Sequence, residues 1–82
     1  MKRITKILED EEAIIYLKAR GVFEQYEKAK RLLLLGYPQL VDFKLREPKS
    51  NEIWYFRINR QYRAFGYFHG DEFTVSDIDD HQ

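Results

Sequence analysis

The stretch Ile53-Trp54-Tyr55-Phe56-Arg57-Ile58-Asn59-Arg60-Gln61-Tyr62-Arg63-Ala64-Phe65-Gly66-Tyr67-Phe68 decides the fold. Its β-branched and aromatic side chains favour extended backbone, and Asn59-Arg60-Gln61 breaks the apolar alternation. Two strands joined by a three-residue loop follow. Side chains alternate across a strand, so Trp54, Phe56 and Ile58 share one face with Tyr62, Ala64, Gly66 and Phe68. A 59–61 loop pairs Phe56 with Ala64 and Arg57 with Arg63. The opposite face then carries Tyr55, Arg57, Arg63, Phe65 and Tyr67. Two arginines among three aromatic rings suit a single-stranded polynucleotide, with guanidinium groups for phosphate and rings for bases. A solvated sheet in which Arg57 and Arg63 pair with Asp77 or Glu47 is the structural alternative, although directly opposed arginines repel.

Outward from this hairpin, Leu40–Leu45 and Phe73–Ser76 read as further strands, and His69-Gly70-Asp71-Glu72 as a turn. Upstream the period is helical. Glu9-Asp10-Glu11-Glu12 places acids at a helix start, with Asp10 a capping candidate, and Ala13, Ile14 and Leu17 follow at helical spacing to a stop at Gly21. A second helix is expected over about Val22 to Leu35, closed by Gly36 and Pro38. Its stripe of Phe23, Tyr26, Ala29 and Leu33, widened by the run Leu32–Leu35, predicts burial over much of the last turn. Ile4, Ile7 and Leu8 fit either a short strand or an early helical turn. The expected class is α+β: an N-terminal helical hairpin packed on a three- to four-stranded antiparallel sheet.

The chain has 82 residues, enough for one domain with a modest core. It has no cysteine. Disulfides, thiolate zinc and cysteine nucleophiles are therefore excluded. No apolar run exceeds five residues (Ala13–Leu17), far short of the roughly 20 that span a bilayer, and Met1-Lys2-Arg3 leads into no apolar signal segment. The expectation is a cytoplasmic protein without a membrane partner. The 14 basic and 14 acidic side chains cancel overall, but not locally. Residues 40–69 hold six basic and three acidic groups, whereas residues 70–82 hold five acids and no Lys or Arg. His69 and His81 are too far apart for a zinc site, and no Gly-rich phosphate loop or nucleophile turn is present.

Phe56-Arg57-Ile58-Asn59-Arg60-Gln61-Tyr62-Arg63-Ala64, with the ending Val75-Ser76-Asp77-Ile78-Asp79-Asp80-His81, resembles the RelE/ParE superfamily of bacterial type II toxins, most of all its HigB and YoeB branches. Those proteins carry an Arg-Ile-Asn stretch with a following arginine on the central hairpin, and a histidine near the end of the last strand. The resemblance spans about residues 40–82, and the preceding helical hairpin has the family's order. It implies a single RelE-like toxin domain over residues 1–82. It also implies a ribosome-dependent mRNA endoribonuclease that inhibits translation, needs no metal or other cofactor, and is neutralised by a cognate antitoxin. By the same resemblance Arg63 is the transition-state arginine, Arg57 a second phosphate-binding group, His81 the terminal acid or base, and Glu47 the carboxylate base. Lys44, Arg46 and Lys49 fall where the family touches RNA, and Arg60, Tyr55 and Phe65 complete the RNA-binding set. The aromatic residue usual beside the terminal histidine is Asp80 here. A ParE-type toxin acting on DNA gyrase, or an inactive member serving as a binding module, is the alternative.

Overall fold

The structure is a computed structural model that describes residues 3–80. Helix α1 (Glu11–Ala19) and helix α2 (Phe23–Leu34) follow a short strand β1 (Lys6–Glu9). Two short 3₁₀ turns, Pro38–Val41 and Lys49–Asn51, flank β2 (Lys44–Leu45), and three longer strands complete the sheet: β3 (Trp54–Arg57), β4 (Tyr62–His69) and β5 (Glu72–Asp80). The class is α+β, as expected, with both helices ahead of the central hairpin. The sheet is larger and less uniform than expected. It has five strands in the order β1-β5-β4-β3-β2, and β1 runs parallel to β5 while the other pairs are antiparallel.

The added strand resolves the ambiguity at Ile4, Ile7 and Leu8. Ile7 pairs with Phe73 and is buried, while Leu8 faces outward, so the segment alternates as a strand does. The Asp10 N–H donates to the Val75 carbonyl at 2.9 Å, carrying the ladder to the first residue before α1. Asp10 stands at the N-cap without a side-chain capping bond. Both helices close on Schellman turns. Gly21 and Val22 donate to Lys18 and Leu17, and Gly36 and Tyr37 donate to Leu33 and Leu32. Gly36 has φ 91°, where a side chain would be strained.

The strand expected over Leu40–Leu45 shrinks to two residues. Pro38, with its fixed φ, opens a 3₁₀ turn, and Phe43 donates back to the Pro38 carbonyl. Asp42 then sits at φ 49°, outside extended geometry. The last turn of α2 is also less buried than expected. Leu33 is buried, but Leu34 and Leu35 are 40% and 63% exposed, because four consecutive leucines point around the whole helix and only one face meets the sheet.

The core lies between the helices and the face of Phe56, Ile58, Tyr62 and Ala64, with Trp54 and Phe68 packed at its margin. That is the face expected from the hairpin. Tyr26 of α2 stacks on Phe56 at 6.0 Å between ring centres, and Phe73 packs on Phe43 and Phe68. Strand β5 contains an irregularity that matters for the site. Phe65 registers with Asp77 but Gly66 with Val75, so Ser76 is an extra residue, a β-bulge. Phe73 and Val75 point inward before it and Ile78 after it. The bulge thus shifts the parity of the strand by one and keeps Asp77 and Asp79 out of the core.

Tyr26 ties α2 to β1. Its hydroxyl donates to Glu9 Oε2 at 2.6 Å, and Lys30 Nζ donates to the same oxygen at 2.7 Å. Burial, then the hydrogen bond to Glu9, hold the phenol pKa far above its ordinary value of 10.0. Folded protein keeps this proton where unfolded chain loses it. The stabilisation is therefore complete below about pH 10 and declines above it, by roughly 1.4 kcal/mol per pH unit. Tyr26→Phe should cost about 1 kcal/mol at neutral pH, since Glu9 loses a donor. Urea unfolding of both proteins at neutral pH and above pH 10 checks this: the gap between them narrows in alkali. A gap independent of pH assigns the cost to packing alone.

Candidate nucleic-acid interface

The β3–β4 hairpin has the register read from the sequence: Tyr55 opposite Phe65, Phe56 opposite Ala64, Arg57 opposite Arg63. Asn59 fixes the loop. Its Oδ1 accepts from the Gln61 and Tyr62 N–H groups at 2.8 Å each, and its Nδ2 donates to Gln25 Oε1 on α2 at 2.6 Å. The asparagine of the Arg-Ile-Asn stretch is therefore a loop clasp, and Ile58 beside it is a core residue. What remains outward of that stretch is arginine.

The opposed arginines avoid one another. Arg57 Nε donates to the Asn59 carbonyl at 3.3 Å, and its Nη1 lies 3.5 Å from Asp42 Oδ2. Arg63 leans the other way, its guanidinium 5.3 Å from the centre of the Tyr55 ring. Tyr55 stacks on Phe65 at 5.2 Å, and Arg46 caps Phe65 at 5.2 Å. Two rings thus carry two guanidinium groups, which holds cations on the open sheet face without neutralising them. Arg63 makes no ion pair among the described residues. The pairing of Arg57 or Arg63 with Asp77 or Glu47, considered as the structural alternative, does not form; Asp42 takes Arg57 instead.

Two concavities meet at Tyr55 and Arg63. One, of about 310 Å³, gathers Lys44, Arg57, Arg60 and Arg63 around a single carboxylate, Asp42. The other, of about 500 Å³, sets Arg46 and Arg63 against Glu47, Asp77 and Asp79. The sheet face is therefore polarised. Four cations to one anion make the first side attractive to phosphates, while two cations to three anions make the second a place of hydrogen-bond acceptors. Arg63, half-buried, stands at the border.

The structure brings together Arg63, Tyr55, Phe65, Arg46 and Glu47 on one side and Lys44, Arg57 and Arg60 on the other. Lys49 is not among them; it lies beyond Leu45 in a separate concavity with Trp54 and Tyr67. His81 lies outside the described residues. Strand β5 is described to Asp80, which registers with Tyr62 and accepts a 3.0 Å hydrogen bond from Gln61 Nε2. Asp77, weighed in the sequence only as an ion-pair partner for Arg57 or Arg63, and Asp79 line the groove, although strict alternation from Phe73 and Val75 would turn both inward. The one available signal was the change of parity from Phe73 and Val75 to Ile78, which a strand can make only through a bulge.

Among the described residues no group of three or more His, Asp or Glu converges to hold a metal ion, and no helix is long and apolar enough to cross a membrane. The arrangement is suited to a phosphodiester backbone. Four cations on the basic side can pair with phosphates, and the rings with their stacked guanidinium groups present flat faces of the kind on which bases stack. The sequence matches no protein-family model, and no curated protein matches it significantly.

Proposed function

We propose that the protein is the toxin of a type II toxin–antitoxin system, a RelE-like endoribonuclease that cleaves mRNA in the ribosomal A site and stops translation. The observation that carries the proposal is the position of Arg63, at the border between a four-cation concavity and a carboxylate-bearing groove. In-line attack of a 2′-hydroxyl on the adjacent phosphorus needs three things: a proton acceptor, a cation for the crowded phosphorane, and a proton donor for the leaving 5′-oxygen. In this reading Glu47 takes the 2′-hydroxyl proton, Arg63 neutralises the phosphorane, and His81 protonates the leaving oxygen. Lys44, Arg57 and Arg60 hold flanking phosphates. Lys49 touches RNA farther along the strand. The partners are the ribosome with its mRNA and a cognate antitoxin, and the compartment is the cytoplasm.

A second reading, a binder without cleavage, is favoured by one observation: Asp77 and Asp79 line the same groove as Arg63 and disfavour a phosphate on that side. Induced expression followed by mapping of transcript ends separates the two. Cleavage predicts growth arrest with new ends at fixed codon positions. His81→Ala, expected to lower cleavage by roughly 100-fold, should relieve that arrest. Arrest that survives His81→Ala, with intact transcripts or with DNA damage, selects the non-catalytic or gyrase-directed reading.

A further inference from the structure

Pro48 opens the 3₁₀ turn Lys49–Asn51, and Glu52 ends it at φ 53°, a left-handed backbone uncommon for a residue with a side chain. Such positions cluster where a fold clamps a ligand. With the start of β3 and the end of β4, the turn bounds a concavity of about 360 Å³. Its aromatic surface comes from Trp54, stacked on Phe43 at 5.0 Å, and from Tyr67, 47% exposed. Its polar side-chain groups are the Lys49 ammonium, the Asn51 amide, the Glu52 carboxylate and the Trp54 indole N–H. None of these four has a hydrogen-bond or ion-pair partner among the described residues, although Lys49 and Glu52 line the same space. The two charges narrow the ligand. The carboxylate opposes a simple phosphate, and the ammonium opposes the cation that an aromatic wall would otherwise attract. A ligand that satisfies both carries an anionic group and, on a flat ring, N–H donors. Guanine sets two such donors side by side, N1–H and the N2 amino group, matching the two oxygens of one carboxylate. Adenine, cytosine and uracil place acceptors beside their donors.

We propose that this concavity binds a guanine nucleotide: the Glu52 carboxylate accepts from N1–H and the N2 amino group, Lys49 pairs with the phosphate, and the base lies against Tyr67 and Trp54. Leu45 lines this concavity and the groove of Arg63 alike, and Tyr67 alternates to the same sheet face as Arg63 and Phe65. A strand lying across that face therefore leads to the site, and a free nucleotide reaches it from solvent. The site stands on its own lining; only a guanosine of the RNA strand as its occupant rests on the function proposed above.

Trp54 is the only tryptophan, so a single indole N–H resonance reports on the site. Titrating the full-length protein with GMP should shift it, with an affinity at least about tenfold above that for AMP or CMP, the scale of one bidentate pair. Glu52→Gln should remove that preference, because an amide turns its own N–H toward one of the guanine donors. Lys49→Gln should weaken GMP severalfold and leave guanosine, which lacks the phosphate, where it was. Both side chains are exposed, so the unfolding curves of the variants should match wild type. An oligouridylate carrying one guanosine, compared with oligouridylate alone, separates the two sources. A Glu52-dependent gain puts the RNA strand in the site; GMP binding without that gain puts a free nucleotide there. Equal binding of GMP, AMP and CMP, their common failure to bind, or a preference that survives Glu52→Gln overturns the proposal. If ribosome-bound mRNA is not cleaved while Glu52-dependent GMP binding holds, the nuclease reading falls and the nucleotide site stands.

Discussion

Arg63→Ala should abolish growth arrest and lower cleavage of ribosome-bound mRNA by at least roughly 100-fold, the scale of losing one preorganised transition-state contact. The fold should hardly notice. Arg63 makes no ion pair among the described residues, and its contact with Tyr55 is worth about 0.5–1 kcal/mol at a half-exposed site. Its removal also relieves repulsion from Arg57 directly opposite. The two effects oppose, so the unfolding free energy should stay within about 1 kcal/mol of wild type. Arg63→Lys should recover only part of the activity, because an ammonium lacks the planar fork that lies over Tyr55 and that the proposed mechanism needs for two phosphate oxygens. Single-turnover cleavage on programmed ribosomes, with unfolding curves on the same preparations, reads both quantities. A fully active Arg63→Ala removes the proposed mechanism.

Gly66→Ala should be the most damaging single-methyl change in the chain. A Cβ on Gly66 would lie 2.0 Å from the Thr74 carbonyl oxygen and 2.9 Å from Phe73 Cζ. The first of these is backbone in the neighbouring strand and cannot rotate away. Relief requires β4 and β5 to separate, or β5 to lose its bulge. Without the bulge, residues 77–80 change faces, which carries Asp77 and Asp79 toward the core and Ile78 into water. Either outcome should cost about 3 kcal/mol or more. That is a large share of the 5–15 kcal/mol typical of a domain. The expected result is a urea midpoint lowered by roughly a fifth or more, or a chain unfolded at room temperature. An unfolding free energy within about 0.5 kcal/mol of wild type would show that the strands make room for the methyl without cost.

How much of this was legible beforehand depends on how many local signals agreed at each point. The β3–β4 hairpin was read to the residue, since alternation, β-propensity and the polar Asn59–Gln61 loop all favour one register. Its two faces followed directly, and with them Tyr55, Arg57, Arg63 and Phe65. Helix limits were legible because Gly21 and Gly36 sit where Schellman turns need them. Strand β1 was not, because four residues carry too little period to separate strand from helix, and its partner is some 66 residues away. Leu40–Leu45 looks like a strand by composition, yet Pro38 commits the chain to a turn first. The polarity of the site was hidden for a different reason. Charge totals along the sequence place Asp77 and Asp79 in an acidic tail, whereas the pairing of β5 with β4 sets them opposite Phe65 and Arg63. Sequence neighbourhood and spatial neighbourhood diverge most where strands pair.

The parallel pairing of β1 with β5 also bears on when the protein becomes whole. Lys6–Glu9 pairs with Glu72–Val75, so this strand waits for a segment 66 residues further along the chain. A ladder closed between such distant segments is slow to form, and the loop entropy is spent before the contact returns it. Synthesis must pass residue 75 before that edge of the sheet can close, and Tyr26, whose hydroxyl binds Glu9 at the end of β1, waits with it. Closure of that edge is thus late relative to the local elements. The cation-bearing β3–β4 hairpin is a local pairing, whereas the edge that anchors Tyr26 closes only through the distant one.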